Sequence, residues 1–220
     1  MDCQSNKLDS VELIKHFIFD LDGVIFDSLA NMELSWNMAS NEYSIPISFQ
    51  NYANHLGKPF KSILAALGVH ENQNAIENCF KSHSISNMNL VKPYIDIEDF
   101  LGFLIEKGFT ISVFTSKDEH RAKILLSNFP IKFADIQSNK TGIPGKPNPE
   151  QILLTMQKLS LKPSEVIFIG DMNVDLLTAR NAGIQFIHAG WGYGKINNEN
   201  VCSVKTILDL KKTISETWPK

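Results

Sequence analysis

The chain has 220 residues, of which 43% are hydrophobic and 20% charged, and its formal net charge at pH 7 is −3. These values are ordinary for a folded protein and exclude wholesale disorder and the strongly positive surface typical of nucleic-acid-binding proteins. No apolar run approaches the roughly 20 residues that span a bilayer, and the amino terminus lacks the pattern of a signal peptide. We therefore predict a cytoplasmic protein with no nucleic-acid and no membrane partner.

The cysteines and histidines show no ligand spacing. Cys3, Cys79 and Cys202 lie far apart with no CxxC pair, and the six histidines form no recognisable metal-binding pattern. This distribution predicts a reducing compartment, and it predicts neither a disulfide framework nor a zinc site.

The first clear strand signal lies in the stretch HFIFDLDGVIFDS of residues 16–28. Its apolar run over 17–21 is typical of a strand buried on both faces of a parallel sheet. Asp20 would then stand at the carboxyl end of the strand, where open α/β sheets hold their ligands, with Asp22 on the same face. Two carboxylates at this place need a counter-ion or a task, because burying unpaired charge is unfavourable.

The remaining elements fall into two regions. Before the first strand, residues 9–15 are predicted to form a short helical turn. The apolar stripe Leu29, Met32, Trp36 and Ala39 predicts a helix, and further helices are predicted over 49–56, 60–67 and 75–83. From Pro93 onward, helices are predicted over 97–107, 119–128, 150–159, 173–182 and 206–217, and strands over 109–114, 133–137, 166–169 and 184–188. Alternating strands and helices predict a parallel sheet, so the fold class is α/β with a helical lid inserted over 28–92.

Polar residues follow three of the predicted strands. They are Asp20 and Asp22, Thr115 and Ser116, and Asp171 and Asp175. The carboxyl ends of parallel strands share one edge of the sheet, and Lys146, in a loop rich in proline and glycine, can join them there. Carboxylates, a hydroxyl and an ammonium group in one place describe a Mg²⁺ site beside a phosphate.

The chemistry of these groups suggests a division of roles. Asp20 and Asp171 can supply carboxylate ligands to Mg²⁺, and the backbone carbonyl of Asp22 can supply a third oxygen. Asp20 can attack phosphorus as a covalent nucleophile, while Mg²⁺ and Lys146 offset its repulsion from the phosphate. Asp22 can protonate the leaving oxygen and later deprotonate water.

Four motifs resemble those of the haloacid dehalogenase superfamily, in the order expected there. They are Asp20-x-Asp22-Gly23-Val24-x-x-Asp27-Ser28, Thr115, Lys146-Pro147, and Gly170-Asp171-x-x-x-Asp175. Ala182-Gly183 and the glycine-rich run 189–194 resemble the phosphoglycolate-phosphatase branch of that superfamily. The resemblance covers essentially the whole chain from His16 onward.

The resemblance implies a Rossmann-like α/β core, formed by residues 1–27 and 93–220, with an inserted α-helical cap over 28–92. It also implies Mg²⁺-dependent hydrolysis of a small phosphorylated metabolite through an aspartyl-phosphate, by a monomer or homodimer. By analogy, Asp20 is the nucleophile and Asp22 the acid and base, and Asp171 holds the metal together with both. Thr115 and the Ser116 amide bind phosphate, and Lys146 bridges phosphate and nucleophile.

Several other residues carry weaker signals. Asp175 is predicted to orient the waters of the metal from the second shell, and Trp191 and Tyr193 to pack the loop around them. Lys58 in the cap can reach a substrate carboxylate or phosphate, although a solvated lysine explains it equally well. Residues 92–96 read Lys-Pro-Tyr-Ile-Asp, where relatives usually have proline-glycine-valine, which leaves the substrate open.

Alternatives remain within and beyond this chemistry. A phosphosugar mutase shares every core motif and differs mainly in its cap. A phosphonatase needs an imine-forming cap lysine, for which Lys58 is the candidate. A dehalogenase is disfavoured because Asp22 is present. A non-catalytic phosphate- or protein-binding module is disfavoured because Asp20, Lys146 and Asp171 are all present as well.

Overall fold

A computed structural model of the protein describes residues 13–140, 142–196, 198 and 200–218. Within these ranges the strands are β1 His16–Phe19, β2 Phe26–Asp27, β3 Lys92–Pro93, β4 Thr110–Asp118, β5 Asp135–Asn139, β6 Val166–Gly170, β7 Gln185–Ala189 and β8 Cys202–Val204. The helices are α1 Leu29–Glu42, α2 Phe49–Ala53, α3 Phe60–Ala66, α4 Gln73–Ser86, α5 Ile97–Glu106, α6 Glu119–Ser127, α7 Glu150–Lys158, α8 Asn173–Ala182 and α9 Ile207–Thr217.

Six strands form one parallel sheet in the order β5-β4-β1-β6-β7-β8. Successive side chains of a strand point to opposite sides of the sheet, and those of β1 are buried on both sides. Phe17 and Phe19 of β1 pack into an apolar cluster with α5 and α9, whereas Ile18 packs into a second cluster with α7 and α8. The predicted α/β class with a parallel sheet is confirmed.

The helices α1 to α4 pack around an apolar cluster of their own. Trp36 is fully buried at its centre, stacks on Tyr52 with ring centroids 4.5 Å apart, and donates from Nε1 to the carbonyl of Ile47 at 2.9 Å. The predicted stripe on α1 lies on this buried side, with Met32, Trp36 and Ala39 in the cluster. The two chain segments that enter and leave this helical region pair as the antiparallel ribbon β2–β3.

Some elements differ from the predictions. The β2–β3 ribbon and strand β8 were not predicted, because two- and three-residue strands leave no periodic signal in a sequence. Strand β5 begins two residues later than predicted and β1 ends two residues earlier. Residues 13–15 are not helical, and residues 9–12 of the predicted helical turn lie outside the described residues.

The cysteines also differ from the prediction. Cys79 carries a free thiol, but Cys202 is disulfide-bonded. The sequence predicted no disulfide framework, and the bonded Cys202 departs from that prediction, because residue spacing alone does not show which side chains the fold brings together. None of the helices described is both long and apolar enough to cross a membrane.

Candidate active site

The carboxyl ends of β1, β4 and β6 lie side by side. Phe19 of β1 pairs with Val113 of β4 and with Ile169 of β6, and the Asp20 amide donates to the Ile169 carbonyl at 2.9 Å. Asp20 follows β1 directly and Asp171 follows β6 directly. The parallel register therefore brings these two carboxylates to one edge of the sheet, as the sequence predicted.

Lys146 is a fully buried cation between two of the site's carboxylates. Its Nζ lies 2.7 Å from Asp20 Oδ1 and 2.8 Å from Asp175 Oδ1. The ammonium group also lies 5.1 and 5.2 Å from the ring centroids of Phe114 and Phe168. Burial alone would lower the pKa of Lys146, but Asp175 and Asp20 outweigh it and raise that pKa above its ordinary value.

Three buried carboxylates form a cluster that can hold a cation. One oxygen from each of Asp20, Asp171 and Asp175 lies within 4.8 Å of the other two. Asp171 Oδ2 accepts from the Tyr193 amide at 2.7 Å, while the buried Asp171 Oδ1 has no hydrogen-bond partner among the described residues. An unpartnered carboxylate oxygen in a buried acidic cluster fits a hard divalent cation such as Mg²⁺.

The electrostatics of these carboxylates favour a cation beside them. Burial raises the pKa of Asp20 to about 7, even though Lys146 lowers it. Burial, reinforced by Asp175 and Asp20, raises the pKa of Asp171 well above its ordinary value. The protein therefore holds these acids in an environment where a bound cation would favour their ionised forms.

Two glycines, Gly23 and Gly192, lie against the side chain of Asp171. Gly23 has a φ of +85°, and a Cβ at this position would collide with the Asp171 carboxylate. A Cβ at Gly192 would collide with the Asp171 side chain and with the Gly23 carbonyl. These glycines let two loops close around one carboxylate, which side chains would prevent.

The carboxylate of Asp175 already accepts hydrogen bonds from other protein groups. Its Oδ1 accepts from Lys146, and its Oδ2 accepts from the Met172 amide at 3.0 Å. Both oxygens of Asp175 thus hold protein groups in place, and the fully buried side chain orients Lys146 toward Asp20.

Asp22 stands in a different environment from Asp20. Its Oδ1 accepts from the Ser28 hydroxyl at 2.6 Å, and its Oδ2 lies 3.0 Å from the ammonium of Lys117. The Ser28 amide donates to the Tyr193 hydroxyl at 2.6 Å. The site therefore also includes Ser28, Lys117 and Tyr193, to which the sequence assigned no such contacts. The hydroxyl of Tyr193 has a contact outside its own loop, beyond the packing role that the sequence predicted.

The irregular end of β4 explains how Lys117 reaches the site. Phe114 pairs with Gln137 and Asp118 pairs with Asn139, so β4 carries two more residues than β5 over this interval. Extra residues bulge out of a ladder and redirect their side chains. In the sequence, Lys117 could have been recognised as a site residue only from its position directly after Thr115 and Ser116.

Thr115 and Ser116 also line the cavity at this edge. Thr115 is buried, and its Oγ1 accepts from the Lys117 amide at 3.1 Å. The Ser116 hydroxyl donates to the carbonyl of Gly57 at 2.6 Å, across the boundary between the sheet and the helical region. The side chain of Ser116 is thus engaged, which leaves its backbone amide as the predicted phosphate donor.

A cavity of about 60 Å³ lies between the sheet edge and the helical region. The sheet side presents Asp20, Asp22, Thr115 and Lys117, and the exposed Lys58 stands at the helical side. Apolar side chains form the rest of the helical wall: Met32, Tyr52, Leu56, Phe60, Ile63 and Phe80. The structure brings the predicted site residues to this cavity or to the buried cluster beneath it.

Asp171→Asn should stabilise the cation-free protein at pH 8. Because the pKa of Asp171 is raised in the folded protein, folding favours the neutral acid. The stability that Asp171 contributes is therefore complete below its unfolded pKa of 3.8 and is lost as the pH rises through its folded pKa. Asparagine cannot ionise, so the stability of the variant does not fall with pH in this way. Urea unfolding in EDTA should show that the difference in unfolding free energy between Asp171→Asn and the wild type is larger at pH 8 than at pH 5. The exposed Glu106→Gln is the control. A difference that is smaller at pH 8 would contradict a raised pKa of Asp171.

Comparison with known proteins places these features in a family. A family model described as haloacid dehalogenase-like hydrolase matches residues 17–189. A phosphoglycolate phosphatase from Aquifex aeolicus is 27% identical over 186 residues, which cover 83% of this chain and 87% of that protein. A tyrosine-protein kinase, PtkA, from Mycobacterium tuberculosis is 28% identical over 203 residues, which cover 90% of this chain and 69% of that protein.

The fold has close counterparts among solved structures. A haloacid dehalogenase-like family hydrolase from Streptococcus pneumoniae superimposes with a TM-score of 0.81 at 23% sequence identity. The superposition covers 91% of this chain and 98% of that one. The likeness therefore includes the helical region as well as the parallel sheet.

Proposed function

This chain belongs to the haloacid dehalogenase-like hydrolases, and we propose that it is a Mg²⁺-dependent phosphatase that acts on a small phosphorylated metabolite through an aspartyl-phosphate. The observation that carries the proposal is the placement of Asp20. Its carboxylate borders the cavity, contacts Lys146 at 2.7 Å, and belongs to the acidic cluster with Asp171. The proposed nucleophile, the cation beside it and a proposed metal ligand therefore lie together.

The proposed division of labour follows from the contacts of each acid. Asp20 attacks phosphorus and the ester oxygen leaves, so that a carboxylate–phosphate bond replaces the ester bond. Asp22 donates its proton to the leaving oxygen and later takes one from the attacking water. The Ser28 hydroxyl and Lys117 hold Asp22 apart from Lys146, which gives the two acids separate partners and separate tasks.

The residues proposed to hold Mg²⁺ are Asp20 and Asp171, with the backbone carbonyl of Asp22. Bound there, Mg²⁺ would neutralise part of the charge between the phosphate and the carboxylates. Asp175 serves by holding Lys146. The phosphate contacts proposed for the protein itself come from Thr115, the Ser116 amide and Lys146.

We propose residues 28–92 as a cap that selects the substrate over a core of 1–27 and 93–220. Its own apolar cluster and the β2–β3 ribbon at its ends support this division. The cavity volume of about 60 Å³ suits several water molecules or a small ester, and its apolar wall suits a leaving group with a hydrocarbon face.

Phosphonate cleavage receives no support from the cap. An imine-forming lysine is typically desolvated in an apolar pocket, whereas Lys58 is exposed. A phosphosugar mutase shares the core chemistry and differs in what accepts the phosphoryl group, so product analysis separates it from a phosphatase.

The direct test is hydrolysis of p-nitrophenyl phosphate and of a panel of phosphorylated metabolites by the purified chain. Inorganic phosphate should appear with Mg²⁺ and should not appear in EDTA. Retention of the phosphoryl group on an isomer of the substrate would indicate a mutase instead. No turnover of any compound with Mg²⁺ present would refute the proposal.

Lys58→Ala should change substrate preference more than the chemical step. Lys58 lines the cavity from the cap and forms no ion pair with any described residue, so its charge is available to a substrate anion. We expect KM for the best substrate to rise about tenfold with kcat nearly unchanged, which is the loss of one charge-assisted contact. Lys61→Ala, an exposed lysine of α3, is the matched control. Equal kinetics for both variants would make Lys58 a surface lysine.

A further inference from the structure

A second group of potential metal ligands lies in the helical region, away from the catalytic cavity. Glu42 is the last residue of α1, and Cys79 and His83 are one helical turn apart on α4. One ligand atom from each residue lies within 4.8 Å of the other two. The Cys79 thiol donates to Glu42 Oε2 at 3.2 Å. None of the three residues lines the catalytic cavity.

The packing of α1 on α4 holds these side chains together. The Asn31 amide group donates to the Ser84 carbonyl at 2.9 Å, and the Ser84 hydroxyl donates to Asn31 Oδ1 at 2.7 Å. Both residues are buried, so the two helices are joined by specific contacts. The helix packing therefore holds the backbone of α1 beside that of α4, and the exposed Glu42 side chain reaches Cys79 across this contact.

The spacing of the three ligand atoms suits a tetrahedral ion. Ligands at about 2.0–2.3 Å from Zn²⁺ lie roughly 3.3–3.8 Å from one another. The distance of 3.2 Å between Cys79 Sγ and Glu42 Oε2 is already close to this spacing. The His83 ring, which is half-buried, has no hydrogen-bond partner in the described part of the chain, so an imidazole nitrogen is free to complete the set.

We propose that Glu42, Cys79 and His83 form a Zn²⁺ site, with water as the fourth ligand. Thiolate and imidazole favour borderline-soft transition metals over Mg²⁺, which prefers oxygen ligands alone. The site therefore differs in chemistry from the acidic cluster at Asp171. It would join the end of α1 to the second half of α4 and so brace the helical region from outside the cavity.

Binding requires one proton to leave. Burial, together with Glu42, raises the pKa of Cys79 to about 11, so the metal-free residue is a thiol that donates to Glu42. On binding, the S–H bond breaks, the proton goes to solvent, and the sulfur electron pair forms the bond to the metal. No change of oxidation state is involved, so no further reagent is needed.

Cobalt substitution on the whole purified chain tests the site. Co²⁺ bound to a cysteine thiolate gives a charge-transfer absorption that carboxylate sites such as the Asp171 cluster cannot produce. We expect this band in the wild-type protein at one equivalent of Co²⁺, its displacement by Zn²⁺, and release of protons measured in weak buffer. Absence of the band from the wild-type protein would overturn the proposal.

Variants assign the ligands. Cys79→Ser should abolish the band, and His83→Gln should weaken Zn²⁺ binding at least tenfold by calorimetry. His70→Gln, an exposed histidine of the same region, should bind as the wild type does. With Mg²⁺ present to occupy the acidic cluster at Asp171, Zn²⁺ should raise the melting temperature of the wild-type protein more than that of Cys79→Ser. A band that survives Cys79→Ser, or equal binding by the two histidine variants, would refute the site.

The site is independent of the proposed catalytic activity. Because Cys79 lies outside the cavity, Cys79→Ser should hydrolyse phosphate esters at the wild-type rate when Mg²⁺ is present. Loss of activity in this variant would contradict a purely bracing role. Failure of the chain to act as a phosphatase would leave the cobalt result unaffected.

Discussion

Asp20→Asn should reduce phosphatase turnover by roughly 10³-fold or more while the protein stays folded. Asparagine has the shape of aspartate and can still accept from Lys146, but it cannot form the carboxylate–phosphate bond. Steady-state release of phosphate, with the melting temperature as a folding check, measures the effect. Turnover near the wild-type level would remove the covalent mechanism and leave direct attack by water.

Asp22→Asn is the informative partner of that variant. It keeps Asp20 intact, so phosphorylation of the enzyme remains possible with a good leaving group, while loss of the proton donor and acceptor slows both steps. We expect a phosphorylated protein to accumulate with p-nitrophenyl phosphate, detectable by intact mass. Asp20→Asn should show no such adduct. An adduct on both variants would place the nucleophile elsewhere.

Lys146→Met should destabilise the protein by about 3–5 kcal/mol at pH 8, the largest stability loss that we expect from a site substitution. Lys146 is completely buried and balances Asp20 and Asp175, so its removal leaves two carboxylates close together without a cation. The loss should be smaller at pH 5, because unpaired buried carboxyl groups then take up protons. Urea unfolding at both pH values measures the difference.

Lys123→Met provides the matched control for that substitution. Lys123 is 72% exposed and pairs with Glu119 at 2.9 Å within one helix, so solvent screens the interaction. We expect a change within about 0.5 kcal/mol at either pH. A comparable loss in both variants would mean that the buried pairs around Lys146 contribute no more than a surface pair.

Much of this architecture is predictable from local patterns. The apolar runs of β1 and β6 predicted buried parallel strands, and the acids that follow them were predicted to meet at the shared edge of the sheet. The predicted strands and the predicted position of the acids are confirmed, because burial on both faces leaves a continuous apolar run and parallel strands end on one side. The stripe of Met32, Trp36 and Ala39 likewise predicted α1 and its buried side.

Contacts between distant segments were not predictable in the same way. The Asp22–Lys117 pair depends on two extra residues in β4, and the double contact of Asp175 depends on where the Lys146 loop lies. No periodicity records such geometry, because it depends on how complete elements pack. The roles of Lys58 and the boundaries of the cap remain predictions for the experiments above.

The sequence by itself determined the α/β class, the family and the acids at the strand ends, since each is encoded by neighbouring residues. Only the tertiary structure decided which cation neutralises which acid, what forms the wall of the cavity, and that Glu42 joins Cys79 and His83. The sequence predicted no zinc site, and the proposed ligand Glu42 lies on another helix, 37 residues before Cys79, where no local spacing could reveal it. Side-chain partners follow from packing, which a one-dimensional pattern does not contain.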